Sequence, residues 1–228
     1  ESQMSNRNPV RHRSACLFAA TAAILAPAGL AKAADASWTG TAGDGLWATD
    51  GNWDTAAPGA VGTSNSPDTA SFAAAAGAVV TVDATRNVQN ITFNSGLTFT
   101  LSTGPLWLTS GGKILSTGVA VDERVSAPVV LQGDGGTYTF ETNTPGTNRE
   151  IIFSGGVSGV ATAGNTTTLT LTGSSGGSNS FDTVGISDGA AGGKVAVVKD
   201  GAGLWIYNAA GSYTGGTTVN AGTLRLSG

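Results

Sequence analysis

Very short runs of alternating apolar and polar residues recur through most of this chain, each cut off by a glycine-rich segment. Val80-Thr81-Val82, Ile91-Thr92-Phe93, Phe99-Thr100-Leu101 and Leu106-Trp107-Leu108 are followed by Val129-Val130-Leu131, Tyr138-Thr139-Phe140 and Ile151-Ile152-Phe153. Leu169-Thr170-Leu171, Val195-Ala196-Val197, Leu204-Trp205-Ile206 and Leu224-Arg225-Leu226 complete the series. A period of two gives each run one apolar and one polar face, the signature of a half-buried strand. Ser110-Gly111-Gly112, Gly133-Asp134-Gly135-Gly136, Gly155-Gly156 and Gly192-Gly193 mark turns between them. No single strand of this length buries enough apolar surface to hold itself. Many must therefore stack into one continuous core.

Composition removes the competing classes. Glycine is 35 of 228 residues and charged residues are 11 %, against about 25 % in an ordinary soluble domain. Proline is only 7, too few for collagen or a proline-rich linker. The formal net charge is only −4 and Val, Ile and Thr recur throughout, which argues against disorder.

The first 33 residues read as a leader. Arg7, Arg11 and Arg13 form a basic start, and Ala15 to Leu25 is apolar but too short to span a bilayer. Ala31-Lys32-Ala33 places small residues at both required positions before Ala34, so cleavage by the Sec route is expected between Ala33 and Ala34. Cys16 and His12 leave with the leader, as do four of the 11 Lys and Arg residues and one of the 15 Asp and Glu residues. The remainder holds seven basic and 14 acidic side chains, a poor balance for binding nucleic acid.

Residues 34–77 form a distinct segment with Trp38, Trp47 and Trp53, Asp-Gly turns at 44–45 and 50–51, and a loop from Ala56 to Asp68. Large aromatics on short strands suit an end cap, where few residues must bury much area. Residues 78–228 carry the repeating pattern. A sandwich, a barrel and a parallel β-helix all fit it. An internal repeat decides for the β-helix: strand, glycine turn, lone aromatic and strand occur from Leu169 to Gly189, and again some 35 residues later from Leu204 to Gly222. Coils of roughly 20–25 residues would give six or seven.

The C-terminal segment then resembles a known repeat. Lys199-Asp-Gly201-Ala-Gly203-Leu204-Trp-Ile-Tyr207, followed by Tyr213-Thr-Gly215-Gly216-Thr217-Thr-Val219-Asn-Ala-Gly222-Thr-Leu224, is similar to the repeat found in autotransporter passengers (residues 199–227). The Trp-rich start is similar to the beginning of many such passengers. The resemblance implies a right-handed parallel β-helix, exported by the Sec machinery of a Gram-negative bacterium and passed through the outer membrane by a C-terminal β-barrel translocator. No barrel sequence occurs before Gly228, so a longer protein is expected. Physically, Gly215-Gly216 and Ala221-Gly222 make corners, Thr217 to Val219 favours a strand, and Leu224 and Leu226 should point inward.

Chemistry is sparse. After cleavage no His or Cys remains, which excludes Ser-His-Asp and Cys-His sites and ordinary zinc ligation. Asp122-Glu123 should be a solvated turn, its two carboxylates diverging. Asp44, Asp134, Asp188 and Asp200 each precede glycine but are never in tandem, so turn formation is expected and calcium binding is not. Trp107 and Trp205 lie between inward neighbours and are expected to face outward. The reading is a structural or adhesive passenger shaft with no catalytic residues, cofactor or metal, and an unidentified glycan or protein ligand. A carbohydrate-active β-helix enzyme, with Asp122, Glu123, Glu141 and Glu150 gathered over one groove, is the first alternative. A carbohydrate-binding module using Trp107 and Trp205 is the second.

Overall fold

A computed structural model describes residues 34–62, 64–73, 77–117, 122–143 and 151–227. The leader with its cleavage residues Ala31 and Ala33, and Glu150, lie outside the described residues. The strands are β1 (Ala36–Ser37), β2 (Ala60–Val61), β3 (Thr69–Phe72), β4 (Val79–Val82), β5 (Arg86–Phe93), β6 (Thr100–Thr103), β7 (Leu106–Ser116), β8 (Glu123–Val125), β9 (Val129–Leu131) and β10 (Thr137–Thr142). They continue as β11 (Ile151–Phe153), β12 (Val157–Gly159), β13 (Thr166–Gly173), β14 (Asn179–Phe181), β15 (Ile186–Ser187), β16 (Lys194–Lys199), β17 (Leu204–Tyr207), β18 (Thr217–Val219) and β19 (Thr223–Leu226). Among the described residues the only helical element is a single 3₁₀ turn, Asp50–Asn52.

Almost every pairing is parallel, and strands pair with the strand one coil onward rather than with their chain neighbours. One sheet runs β4-β6-β8-β11-β14-β17-β19. A second runs β1-β3-β5-β7-β10-β13-β16-β18. The first halves of β5 and β7 leave it to form a third face with β9, β12 and β15. The result is a parallel β-helix.

Its core is a set of vertical columns. On the first sheet Val80, Leu101, Val125, Phe153, Phe181, Tyr207 and Leu226 lie in register, with steps of 19 to 28 residues between successive coils. On the second, Ala70, Ile91, Ile114, Phe140, Leu171, Lys199 and Val219 do the same. Phe140 stacks on Phe153 at 4.7 Å between ring centroids, and Phe153 on Phe181 at 5.2 Å. Each buried Phe adds roughly 1.5–3 kcal/mol by leaving water, which is how strands of three residues suffice.

The first coil is closed by the tryptophan segment. Trp38, Trp47 and Trp53 are all buried and meet Phe72 at 5.7–6.2 Å. Two of the indoles are held by hydrogen bonds: Trp53 Nε1 donates to Trp47 O at 2.8 Å and Trp47 Nε1 to Pro58 O at 2.9 Å. Backbone bonds from Trp47 N to Thr81 O and from Thr81 N to Gly45 O lay this segment along the outer edge of β4. The stretch read as a loop, Ala56 to Asp68, contains β2, which pairs antiparallel with Arg86–Asn87 of β5. It lies against the helix because Ser66 N bonds to the Asn87 and Thr109 side chains and Gly59 N to Asp68.

Candidate functional site

The candidate site is the last coil, from β16 to β19. Its glycines sit where two coils approach too closely for a side chain. Gly222 has φ +67°, and a Cβ there would stand 2.4 Å from Gly201 O and 2.7 Å from Gly203 O. Gly201 (φ +70°) and Gly203 in turn rest on the Gly173 backbone, with Gly203 N donating to Gly173 O at 2.8 Å. Three successive coils therefore share one glycine-lined corner. At the opposite corner Gly215 N donates to Val195 O at 2.9 Å, and Gly216 takes φ +86° before β18.

Tyr213 is half-buried, meets Tyr207 edge-on at 6.1 Å, and shares a 2.7 Å hydrogen bond between its hydroxyl and Thr217 Oγ1. Tyr207 is buried, which pushes its phenol up to about 12, and its hydroxyl accepts from Ile186 N. Leu224 follows Trp205 in one inward column. Val219 and Leu226 occupy inward positions too, yet are 53 % and 72 % exposed. An open cleft of about 460 Å³ lies here, lined by Tyr207, Tyr213, Thr217 and Leu226 among others.

One expectation is corrected at this coil. Trp205 does not face outward: it is fully buried, in register with buried Asn179, while Leu204 takes the outer position and is half-exposed. Its Nε1 donates to Thr172 O at 3.2 Å. The phase is fixed by Tyr207, two residues on, which must continue the Phe181 column. Trp107 behaves differently. It lies in the outer column between Asn87 and Val130 and is half-exposed.

Lys199 is a residue whose role the pattern concealed. It is fully buried, and Nζ donates to the carbonyls of Asp200 and Gly201 at 2.8 Å and of Ala221 at 3.1 Å. Burial lowers its pKa while Asp200 raises it. The ammonium thus ties two coils at the glycine corner. The signal was present in Val195-x-Val197-x-Lys199, where the lysine keeps the inward phase of two valines.

The acids are dispersed. Glu123, expected in a solvated turn, is 1 % exposed and points into the core. Glu141 lies on the outer face of the second sheet, paired with Lys113 at 2.8 Å, a contact that lowers its pKa. Asp122 stands near Arg124 at 3.9 Å. Among the described residues no group of three or more His, Cys, Asp or Glu side chains converges as a metal site would require. The Asp-Gly aspartates do more than shape turns. Asp134 accepts from Thr162 N at 2.7 Å and from Thr162 Oγ1 at 2.9 Å, one coil on. Asp188 accepts from Val195 N at 2.7 Å within its own coil and from Thr214 Oγ1 at 2.7 Å one coil on. Asp44 holds Leu46 N, Thr49 and Asn52 inside the tryptophan segment.

Residues 197–226 match the family model described as the passenger-associated-transport-repeat. The segment is similar to that repeat. The matched residues run from the middle of β16 to the end of β19, so the matched segment forms one structural coil. No curated protein and no solved structure matches the chain.

Proposed function

We propose that this chain is part of an autotransporter passenger, exported and displayed at the surface of a Gram-negative cell, where it serves as a structural or adhesive shaft. The observation that carries the reading is the transport repeat at residues 197–226, built as a regular coil of a parallel β-helix. A stacked helix suits passage as an unfolded chain followed by folding outside, because each coil needs only its neighbour to form. It also needs no disulfide, and no cysteine stands after residue 33. The partners of this reading are the Sec machinery, a β-barrel translocator and a surface glycan or protein. It assigns no reaction to the chain.

The test joins the chain to the β-barrel of a characterised autotransporter in a Gram-negative host. Protease shaving and antibody labelling of intact cells should reach the passenger. Deleting residues 197–226 should lower the surface yield several-fold. Passenger retained in the periplasm with the repeat intact would overturn the proposal. For the adhesive role, displaying cells should aggregate or bind coated surfaces more than cells bearing the barrel alone.

A further inference from the structure

We propose that Glu123 is a proton-operated clasp between the second and third coils, tightening them when its carboxyl is protonated and loosening them when it ionises. Glu123 heads β8 and occupies an inward position. Its Oε2 accepts from Phe99 N, one coil earlier, at 2.7 Å. Its Oε1 is also buried and has no hydrogen-bond partner among the described residues. Above and below it in the same column stand Phe99 and Ile151, both buried and apolar. An ionised carboxylate there keeps one N–H contact against the full loss of water, an arrangement that favours the neutral acid. Burial accordingly raises its pKa to about 7, opposed by the Phe99 N–H and reinforced by Asp122.

Two coils further on, the same column holds Asn179, which does the equivalent task with a neutral group. Its Oδ1 accepts from Ile151 N at 3.2 Å and its Nδ2 donates to Leu204 O at 2.9 Å. The column therefore uses a side-chain oxygen to cap the strand of the previous coil, and only at Glu123 does that oxygen belong to a titrating group. The two strands that flank β8, β6 and β11, contain no charged residue. On either side of it in sequence, Asp122 and Arg124 pair with each other. The buried cations of the interior are engaged elsewhere, Arg86 beside Asp83 at 3.4 Å and Lys199 on three carbonyls.

The folded pKa lies above the value of 4.5 for a free glutamate. The clasp therefore stabilises fully below about 4.5 and is lost as pH rises through about 7. Urea unfolding of the full chain should show a lower midpoint at pH 8 than at pH 5, with the unfolding constant higher by roughly 50-fold. Glu123→Gln should remove most of that difference, because the amide is neutral at both values. Asn179→Asp should steepen it by placing a second acid in the column. Equal wild-type midpoints at the two pH values would sink the proposal. So would a Glu123→Gln protein that keeps the wild-type slope, or an Asn179→Asp protein with an unchanged one. The wild-type comparison and Asn179→Asp decide the matter even where Glu123→Gln does not fold.

Discussion

At the first coil, Trp38, Trp47 and Trp53 pack in an irregular cluster on Phe72, and all three are buried. At the last coil the geometry is regular, glycine corners repeat, and the inward residues Val219 and Leu226 remain exposed. The contrast shows two ways of holding a coil. The first region is held by side-chain area, and the last by close backbone approach and a buried ammonium. Aromatic packing tolerates an irregular chain path, since large rings fill whatever space they meet. Backbone stacking demands one path, which the glycine corner shared by the last three coils keeps.

The largest break in this comparison is expected from Trp47→Ala. It removes a fully buried ring and its bond to Pro58, and should cost about 3–5 kcal/mol in urea unfolding. A result below 1 kcal/mol would mean that the cap does not hold the first coil. Gly222→Val forces a side chain into a positive-φ corner against Gly201 and Gly203 and should cost roughly 3 kcal/mol. That loss should be local: amide exchange should quicken across β17–β19 while β5–β10 stays protected. Lys199→Met keeps the stem but leaves three carbonyls without their donor, for an expected loss of about 2 kcal/mol, read by the same exchange. Leu226→Ala should change stability by less than about 0.5 kcal/mol, because its side chain is already largely in water.

The outer aspartates sharpen the picture at acid pH. Hydrogen bonds from Thr162 hold the Asp134 carboxyl below its usual range. At Asp188 partial burial pulls upward, but bonds from Val195 and Thr214 outweigh it and the net shift is down. Stability from both is present above about pH 4 and is lost as pH falls through their folded values. The unfolding midpoint should therefore drop below pH 4, the opposite direction to the Glu123 effect. Asp188→Asn should flatten part of that acid limb, by a smaller amount than any core change above.

Much of this architecture could be read in advance. Alternation marked the strands, glycine clusters marked the corners, and the tryptophans marked a segment that needed burial. The loop from Ala56 to Asp68 was harder, because its contacts with Asn87 and Thr109 are made across the chain and leave no local pattern. Glu123 was misjudged for a related reason. Beside Asp122 and Arg124 it looks like part of a charged turn, and only the coil-to-coil register shows that its side chain continues the column of Phe99 and Ile151.

Residue order by itself determined that short strands alternate two faces and that glycine must stand where coils touch. It did not determine which face of a strand is inside. In Leu204-Trp205-Ile206-Tyr207 either phase satisfies a period of two, and either buries apolar atoms. The choice was made by stacking: Tyr207 sits over Phe181 and Trp205 over Asn179, so Leu204 is left outside. Phase in a solenoid belongs to the neighbouring coils, because the register with the previous strand decides which side chains continue its inward columns.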